Sequence, residues 1–149
     1  MLNQDNTRNE VIKALIHLWG PISEGQQKAF LDNVQIKRII KGQYIYRDID
    51  NPNCMKLLIH GKVKVSKMGI GGRNQIIRIV KPMEFFGFIA YFADESYTTE
   101  AMALEDSTIA YIDMYIIIQM MKENFNINLF FLKNLSKELG HFANRIVNL

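Results

Sequence analysis

The strongest constraint on the fold is a series of short apolar segments between Val34 and Asp113, each separated from the next by turn residues. Apolar and polar residues alternate within several of these segments, which is typical of β-strands with one buried face. Seven or eight short strands need a way to avoid exposed sheet edges, and closure into a barrel or roll provides one. The sequence therefore predicts a mainly β fold, an eight-stranded antiparallel β-roll or jelly roll. The clearest predicted strands cover residues 34–40, 44–46, 55–59, 63–65, 76–80, 97–103 and 108–112.

Helical patterns flank this region on both sides. Apolar residues recur at helical spacing in residues 9–19, and Gly20-Pro21 ends that helix. Ser23 followed by Gln26 is a capping-box pattern, which predicts a second short helix. After the last strand, Asp113 is suited to cap a helix over residues 114–121.

Residues 125–149 predict one long helix with an apolar repeat of 3.5 residues. Such a repeat places a narrow apolar seam against a partner helix, whereas packing on the same domain favours a wider stripe. The stripe is wide only near Leu129, Phe130 and Phe131, so we expect the start of the helix to pack on its own domain. The sequence predicts a β-roll domain with N-terminal helices over residues 1–124 and a C-terminal dimerisation helix over residues 125–149. The expected dimer-interface residues are Leu132, Leu135, Leu139, Phe142, Ile146 and Leu149.

The composition limits the class of protein. With 149 residues, 48% hydrophobic and 22% charged, the chain fits one globular domain. Its apolar runs are too short to cross a membrane and its N-terminus lacks the pattern of a secretory signal, so we expect a cytoplasmic protein with no membrane contact. A single cysteine, Cys54, argues against an internal disulfide, a zinc site built on cysteine pairs and an all-cysteine iron–sulfur site.

The sequence offers little for catalysis. His17, His60 and His141 fall on separate elements without the spacing of metal ligands, so no metal site is expected. Residues 69–72 are rich in glycine, but no lysine followed by serine or threonine completes a phosphate loop. No catalytic residues and no cofactor are predicted, although a metal-dependent enzyme of the cupin type stays open as an alternative.

Several motifs occur in an order that resembles a known superfamily. Residues 41–46 read KGQYIY, residues 61–65 read GKVKV, residues 85–87 read FFG, and residues 101–103 and 110–113 read AMA and AYID. In this order and spacing, the chain resembles the cyclic-nucleotide-binding superfamily. It is most similar to the effector domain of bacterial regulators related to the cyclic AMP receptor protein and the fumarate–nitrate regulator.

The resemblance implies a ligand-binding cassette within residues 81–106. In the family, a glutamate after Phe-Gly holds the ribose hydroxyl, and an arginine followed by serine or threonine binds the phosphate. At the matching positions this sequence has Phe88 and Tyr97, with Thr98 following, so both charged side chains are missing. We expect little or no binding of cyclic AMP or cyclic GMP. The cassette aromatics either line an apolar pocket for another ligand or fill the space as core. The ligand-binding residues implied by position are Phe86, Gly87, Phe88, Ile89, Ala90, Tyr97, Thr98 and Thr99.

The resemblance also implies partners. The expected protein is the sensory and dimerisation part of a transcription regulator, a homodimer with an unidentified small-molecule effector. DNA would be bound only by a helix-turn-helix domain following Leu149, which the given residues do not include. A stand-alone module that binds a small molecule or a protein is the alternative.

Overall fold

The computed structural model describes residues 4–47, 50 and 52–148, so Leu149 of the predicted dimer interface lies outside the described residues. Helices α1 (Gln4–Trp19) and α2 (Glu24–Asn33) lie before the strands, and α4 (Met114–Glu123) and α5 (Phe125–Val147) follow them. A short helix, α3 (Ile89–Phe92), interrupts the strands. The strands are β1 (Gln35–Ile39), β2 (Tyr44–Tyr46), β3 (Cys54–His60), β4 (Val63–Met68), β5 (Asn74–Val80), β6 (Phe85–Phe86), β7 (Glu100–Ala103) and β8 (Ser107–Asp113).

The strands form two four-stranded antiparallel sheets. One has the order β1-β8-β3-β6 and the other the order β2-β7-β4-β5. In the first sheet, Leu57 of β3 lies opposite Phe85 of β6 on one side and Ala110 of β8 on the other. The predicted jelly roll with flanking helices and a long C-terminal helix is therefore confirmed.

Most strand boundaries differ from the prediction by one to three residues, and two strands differ in a way that affects the cassette. Strand β7 begins at Glu100 rather than at Tyr97, whose backbone N–H donates to the Asp50 carbonyl and whose ring stacks on Tyr46 of β2, with ring centroids 3.8 Å apart. Strand β6 was not predicted because two residues are too few to show a period. Its residues pair with Lys56 and Leu57 of β3 at the edge of the first sheet.

Helix caps follow the predicted residues. The Ser23 side chain accepts a hydrogen bond from the backbone N–H of Gln26, and Asp113 accepts one from Tyr115. The Gln26 side chain does not complete the capping box, since its amide donates to Glu123 of α4 instead. This bond joins α2 to α4 across the helical layer.

The two residues of β6 point into different cores. Phe86 is packed inside the roll with Leu58, Tyr97 and Ile109. Phe85 faces the helices and belongs to an aromatic cluster with Trp19, Phe88 and Phe131. Successive residues of a strand point to opposite faces, so this one short strand connects both cores.

Only the beginning of α5 is buried against the domain. Ile127 and Phe131 are buried and Phe130 is half-buried, as the wide apolar stripe predicts. Leu129 differs from that expectation, because it is 47% exposed. None of the described helices is long and apolar enough to span a membrane.

Candidate functional site

The cassette contains a tight turn between β6 and α3, and Gly87 makes this turn possible. Gly87 has a φ of 76°, which is unfavourable for residues with a side chain. A Cβ atom there would lie 2.9 Å from Cδ of Lys56 and 3.2 Å from the hydroxyl of Tyr97. The backbone of the cassette therefore lies directly on these two side chains.

Lys56 places a positive charge beneath the cassette. Its side chain comes from β3 and is 4% exposed. The ammonium donates hydrogen bonds to the Cys54 carbonyl, at 2.7 Å, and to the Tyr97 hydroxyl, at 2.5 Å. The Tyr97 hydroxyl in turn donates to the Gly87 carbonyl at 3.0 Å. The chain of bonds from Lys56 to Gly87 fixes the turn from below.

Lys56 is surrounded by aromatic rings, and its burial makes the ammonium group more acidic. Its Nζ lies 5.2 Å from the ring centroid of Tyr46 and 4.9 Å from that of Tyr97, within the range of cation–π attraction. Burial lowers the pKa of Lys56 to about 8. Burial also raises the pKa of Tyr97, and that of Tyr111 to about 12. At neutral pH the cluster thus consists of a charged lysine and neutral phenols.

Tyr97 occupies the position at which the resemblance places the phosphate-binding arginine. Its ring is stacked on Tyr46 at 15° between planes, and its hydroxyl is engaged by Lys56 and Gly87. Tyr97 is 4% exposed, and it covers the Lys56 ammonium. A phenol held in this way offers no charge to an incoming phosphate.

Phe88 occupies the position of the ribose-binding glutamate, and its ring points into the helical core. It is 3% exposed, and its ring centroid lies 5.3 Å from that of Phe131 on α5. It is the N-cap residue of α3 and makes no side-chain capping bond. The space occupied by Phe88 is therefore core rather than ligand pocket.

A pocket of about 300 Å³ lies between the cassette, strands β4 and β5, and helix α5. Seven of the eight residues implied by position line it, and Phe88 is the exception. Of the other cassette aromatics, Phe85 is part of the helical core, and Tyr91 and Phe92 do not line this pocket. Whether the seven lining residues bind a ligand stays a prediction. They are Phe86, Gly87, Ile89, Ala90, Tyr97, Thr98 and Thr99.

Charged side chains, all but Glu95 from outside the cassette, also line this pocket. Arg78 of β5 and Lys67 of β4 line it, together with Glu95 and Glu138. Sequence reasoning missed Arg78. Its only signal was a single cation within an apolar strand, between Ile77 and Ile79, and strand charges are usually solvated. The fold turns this residue towards the cassette.

Helix α5 closes one side of the pocket. Glu138 and Phe142 are part of the lining, and Arg145 donates a 2.8 Å hydrogen bond to the Ile77 carbonyl of β5. Phe142, predicted as a dimer-interface residue, is thus also a pocket residue. Leu135 packs against the helical core, whereas Leu132, Leu139 and Ile146 are 58%, 70% and 72% exposed.

The histidines do not converge. His60 at the end of β3 lies 3.5 Å from a Glu10 carboxylate oxygen, and His17 and His141 lie on α1 and α5. Within residues 4–47, 50 and 52–148, no three His, Cys, Asp or Glu side chains are grouped closely enough to hold a metal ion.

Comparisons with known proteins identify the fold and the family. The family model described as "Cyclic nucleotide-binding domain" matches residues 36–124, which is more than half of the chain. The structure is similar to the sensor domain of the transcriptional regulator DNR from Pseudomonas aeruginosa. The two share 20% identity with a TM-score of 0.78, over 93% of this chain and 94% of that one. No curated protein matches.

Two longer proteins contain the same fold. The Thermus thermophilus Catabolite Activator Protein matches at 17% identity with a TM-score of 0.74, over 87% of this chain and 61% of that one. The regulatory domain of Toxoplasma gondii PKA, solved with cAMP, matches at 16% identity with a TM-score of 0.69, over 78% of this chain and 45% of that one. These structural likenesses show the fold, and the family match assigns the family.

Proposed function

We propose that this chain, which belongs to the cyclic nucleotide-binding domain family, is the sensory and dimerisation part of a transcription regulator. The group we infer is that of the cyclic AMP receptor protein and the fumarate–nitrate regulator. In this proposal, the effector is a small molecule other than a cyclic nucleotide, and the subunits associate through α5.

This role is supported by helix α5, which lines the pocket and also exposes apolar residues. Glu138 and Phe142 face the cassette pocket, and Leu139 and Ile146 of the same helix are exposed. A pocket occupant would therefore touch the element that carries the exposed apolar residues. Two sites can be coupled through one structural element if the element has two arrangements and binding at either site changes the balance between them.

The same geometry supports an effector that is not cyclic AMP. A phosphate bound at an arginine gains paired, charge-assisted hydrogen bonds. The Tyr97 hydroxyl at that position is already bonded to Lys56 and Gly87, and Phe88 is packed against Phe131. A cyclic nucleotide would lose the phosphate contact and leave its ribose hydroxyl without a carboxylate.

Association through α5 is tested by sedimentation velocity at tens of micromolar protein. We expect a species of twice the 17.3 kDa chain mass. Leu139→Asp should dissociate it, because a charge would be placed in an apolar seam. Ile70→Asp is the matched control, since Ile70 is fully exposed on the hairpin between β4 and β5 and should leave the dimer intact.

The outcomes separate the possibilities. A monomeric wild-type chain would overturn the dimerisation part of the proposal. A dimer that survives Leu139→Asp but not Ile70→Asp would place the interface on the hairpin instead of α5.

A further inference from the structure

We propose that the pocket takes an amphipathic monocarboxylate whose head group is bound by Arg78 of β5. This inference rests on the proposed sensory function and names the ligand class of the same pocket. In this proposal the anion-binding residue lies on the neighbouring sheet, because Tyr97 stands at the cassette position where the resemblance places an arginine.

Arg78 has hydrogen-bonding capacity to offer. Its side chain is 21% exposed, and its Nη2 atom lies 3.8 Å from Oε2 of Glu84, too far for a hydrogen bond. Glu84 uses its other oxygen to accept the backbone N–H of Lys81 at 2.7 Å. In the described part of the chain, no carboxylate lies closer to Arg78. A guanidinium has five N–H donors in a planar fork, which matches a carboxylate.

Two hydroxyl groups line the same pocket as the guanidinium. The Tyr46 hydroxyl is 3.2 Å from Oγ1 of Thr99, and both residues line the pocket with Arg78. Burial raises the pKa of Tyr46, whereas the hydrogen bond with Thr99 and, to a smaller extent, the charge of Arg78 lower it. Arg78, Tyr46 and Thr99 together form a polar end to the pocket.

The other charges of the pocket favour a single negative charge on the ligand. Besides Arg78, the lining holds exposed Lys67, exposed Glu95 and half-buried Glu138, so it contains two cations and two carboxylates. Like charges repel at short range, so a second negative charge on the ligand would be opposed by these carboxylates. A carboxylate therefore suits the site better than a phosphate monoester, which carries nearly two charges at neutral pH.

Most of the remaining lining is apolar. Val65, Ile77, Phe86, Ile89 and Phe142 surround a cavity of about 300 Å³, the lower end of the range for small-molecule sites. Such a wall would bury a short hydrocarbon or a flat ring. Phe142 brings this apolar part of the ligand into contact with α5.

Calorimetric titration of the whole chain with octanoate, octanol, octylamine and octyl phosphate tests the assignment. Octanoate should bind about tenfold or more tightly than octanol, because a charge-assisted hydrogen bond adds to the apolar contact. Octylamine and octyl phosphate should bind more weakly than octanoate. In Arg78→Met, octanoate should lose this advantage while octanol binding is kept. Arg78→Lys should retain part of it, and Lys41→Met, which removes an exposed lysine outside the pocket, should change it less than threefold.

Thermal unfolding of each variant checks that the fold is intact. Four results would each overturn the inference. The first two are equal affinity for octanoate and octanol, and an octanoate advantage that survives Arg78→Met. The others are tighter binding of octyl phosphate than of octanoate, and no binding of any of the four probes. The sensory proposal fails by a different result, namely octanoate binding that leaves amide hydrogen exchange in α5 unchanged.

Discussion

Replacing Lys56 by methionine tests whether a charged lysine is enclosed beneath the cassette. Methionine has a similar length and no charge, so it fills the same space between Tyr46 and Tyr97. The substitution removes the hydrogen bonds to the Cys54 carbonyl and the Tyr97 hydroxyl. The Tyr97 hydroxyl keeps its bond to the Gly87 carbonyl.

The magnitude follows from the pKa of Lys56, which burial lowers from 10.5 to about 8. At neutral pH this difference corresponds to about 3 kcal/mol of lost stability, because the folded protein holds the proton less readily than the unfolded chain. The loss is full below about pH 8 and disappears as the pH rises towards the unfolded value of 10.5. Between about pH 7 and about pH 9.5, the wild type should therefore gain about 2 kcal/mol relative to Lys56→Met.

Urea unfolding at several pH values, followed by the fluorescence of Trp19, measures this change. Trp19 is the sole tryptophan and is 2% exposed, so its emission should change strongly on unfolding. Lys41→Met is the matched control, because Lys41 is exposed on the turn between β1 and β2. It reports any effect of losing one surface charge.

A free-energy difference between wild type and Lys56→Met that stays constant across this pH range would refute the reasoning. It would mean that Lys56 is solvated in the folded protein. A wild type that loses stability relative to the variant as the pH rises would contradict the sign.

Two further substitutions test the packing around the cassette. Gly87→Ala should lower the free energy of unfolding by about 1–3 kcal/mol, and by more than Gly71→Ala, since both have positive φ but only Gly87 contacts Lys56. Equal losses would show that backbone strain alone matters. Phe131→Ala should cost about 3–5 kcal/mol, because its buried ring packs on Trp19, Phe85 and Phe88, whereas Tyr115→Ala, at a 65% exposed residue, should cost little. Denaturant unfolding measures both pairs, and a small loss for Phe131→Ala would contradict the assignment of this ring to the core.

The sheet architecture could be predicted from the sequence because periodic burial leaves a periodic pattern. Strands β3 and β8 run through the centre of one sheet, and their apolar residues lie where alternation and run length indicate. The caps Ser23 and Asp113 were predictable for a similar reason, since each needs only local backbone geometry.

The charges of the site could not be predicted, because they come from elements far apart in the chain. Lys56 and Tyr97 are 41 residues apart, and only the pairing of β3 with β6 brings the lysine under Gly87. Arg78 lines the pocket because it lies on β5, and Glu138 lines it because α5 packs beside the roll. Sequence spacing does not show that these residues lie close together, whereas Phe88 in place of glutamate and Tyr97 in place of arginine could be recognised position by position.

The most direct test of the central proposal, that this cassette does not bind a cyclic nucleotide, is calorimetric titration of the chain with cyclic AMP and cyclic GMP. Tyr97 is stacked on Tyr46 and bonded to Lys56, so the cassette provides no guanidinium to bind the phosphate of the nucleotide. We predict no binding with a dissociation constant below about 10 µM, which is about −7 kcal/mol. A dissociation constant below that value for either nucleotide would contradict the account.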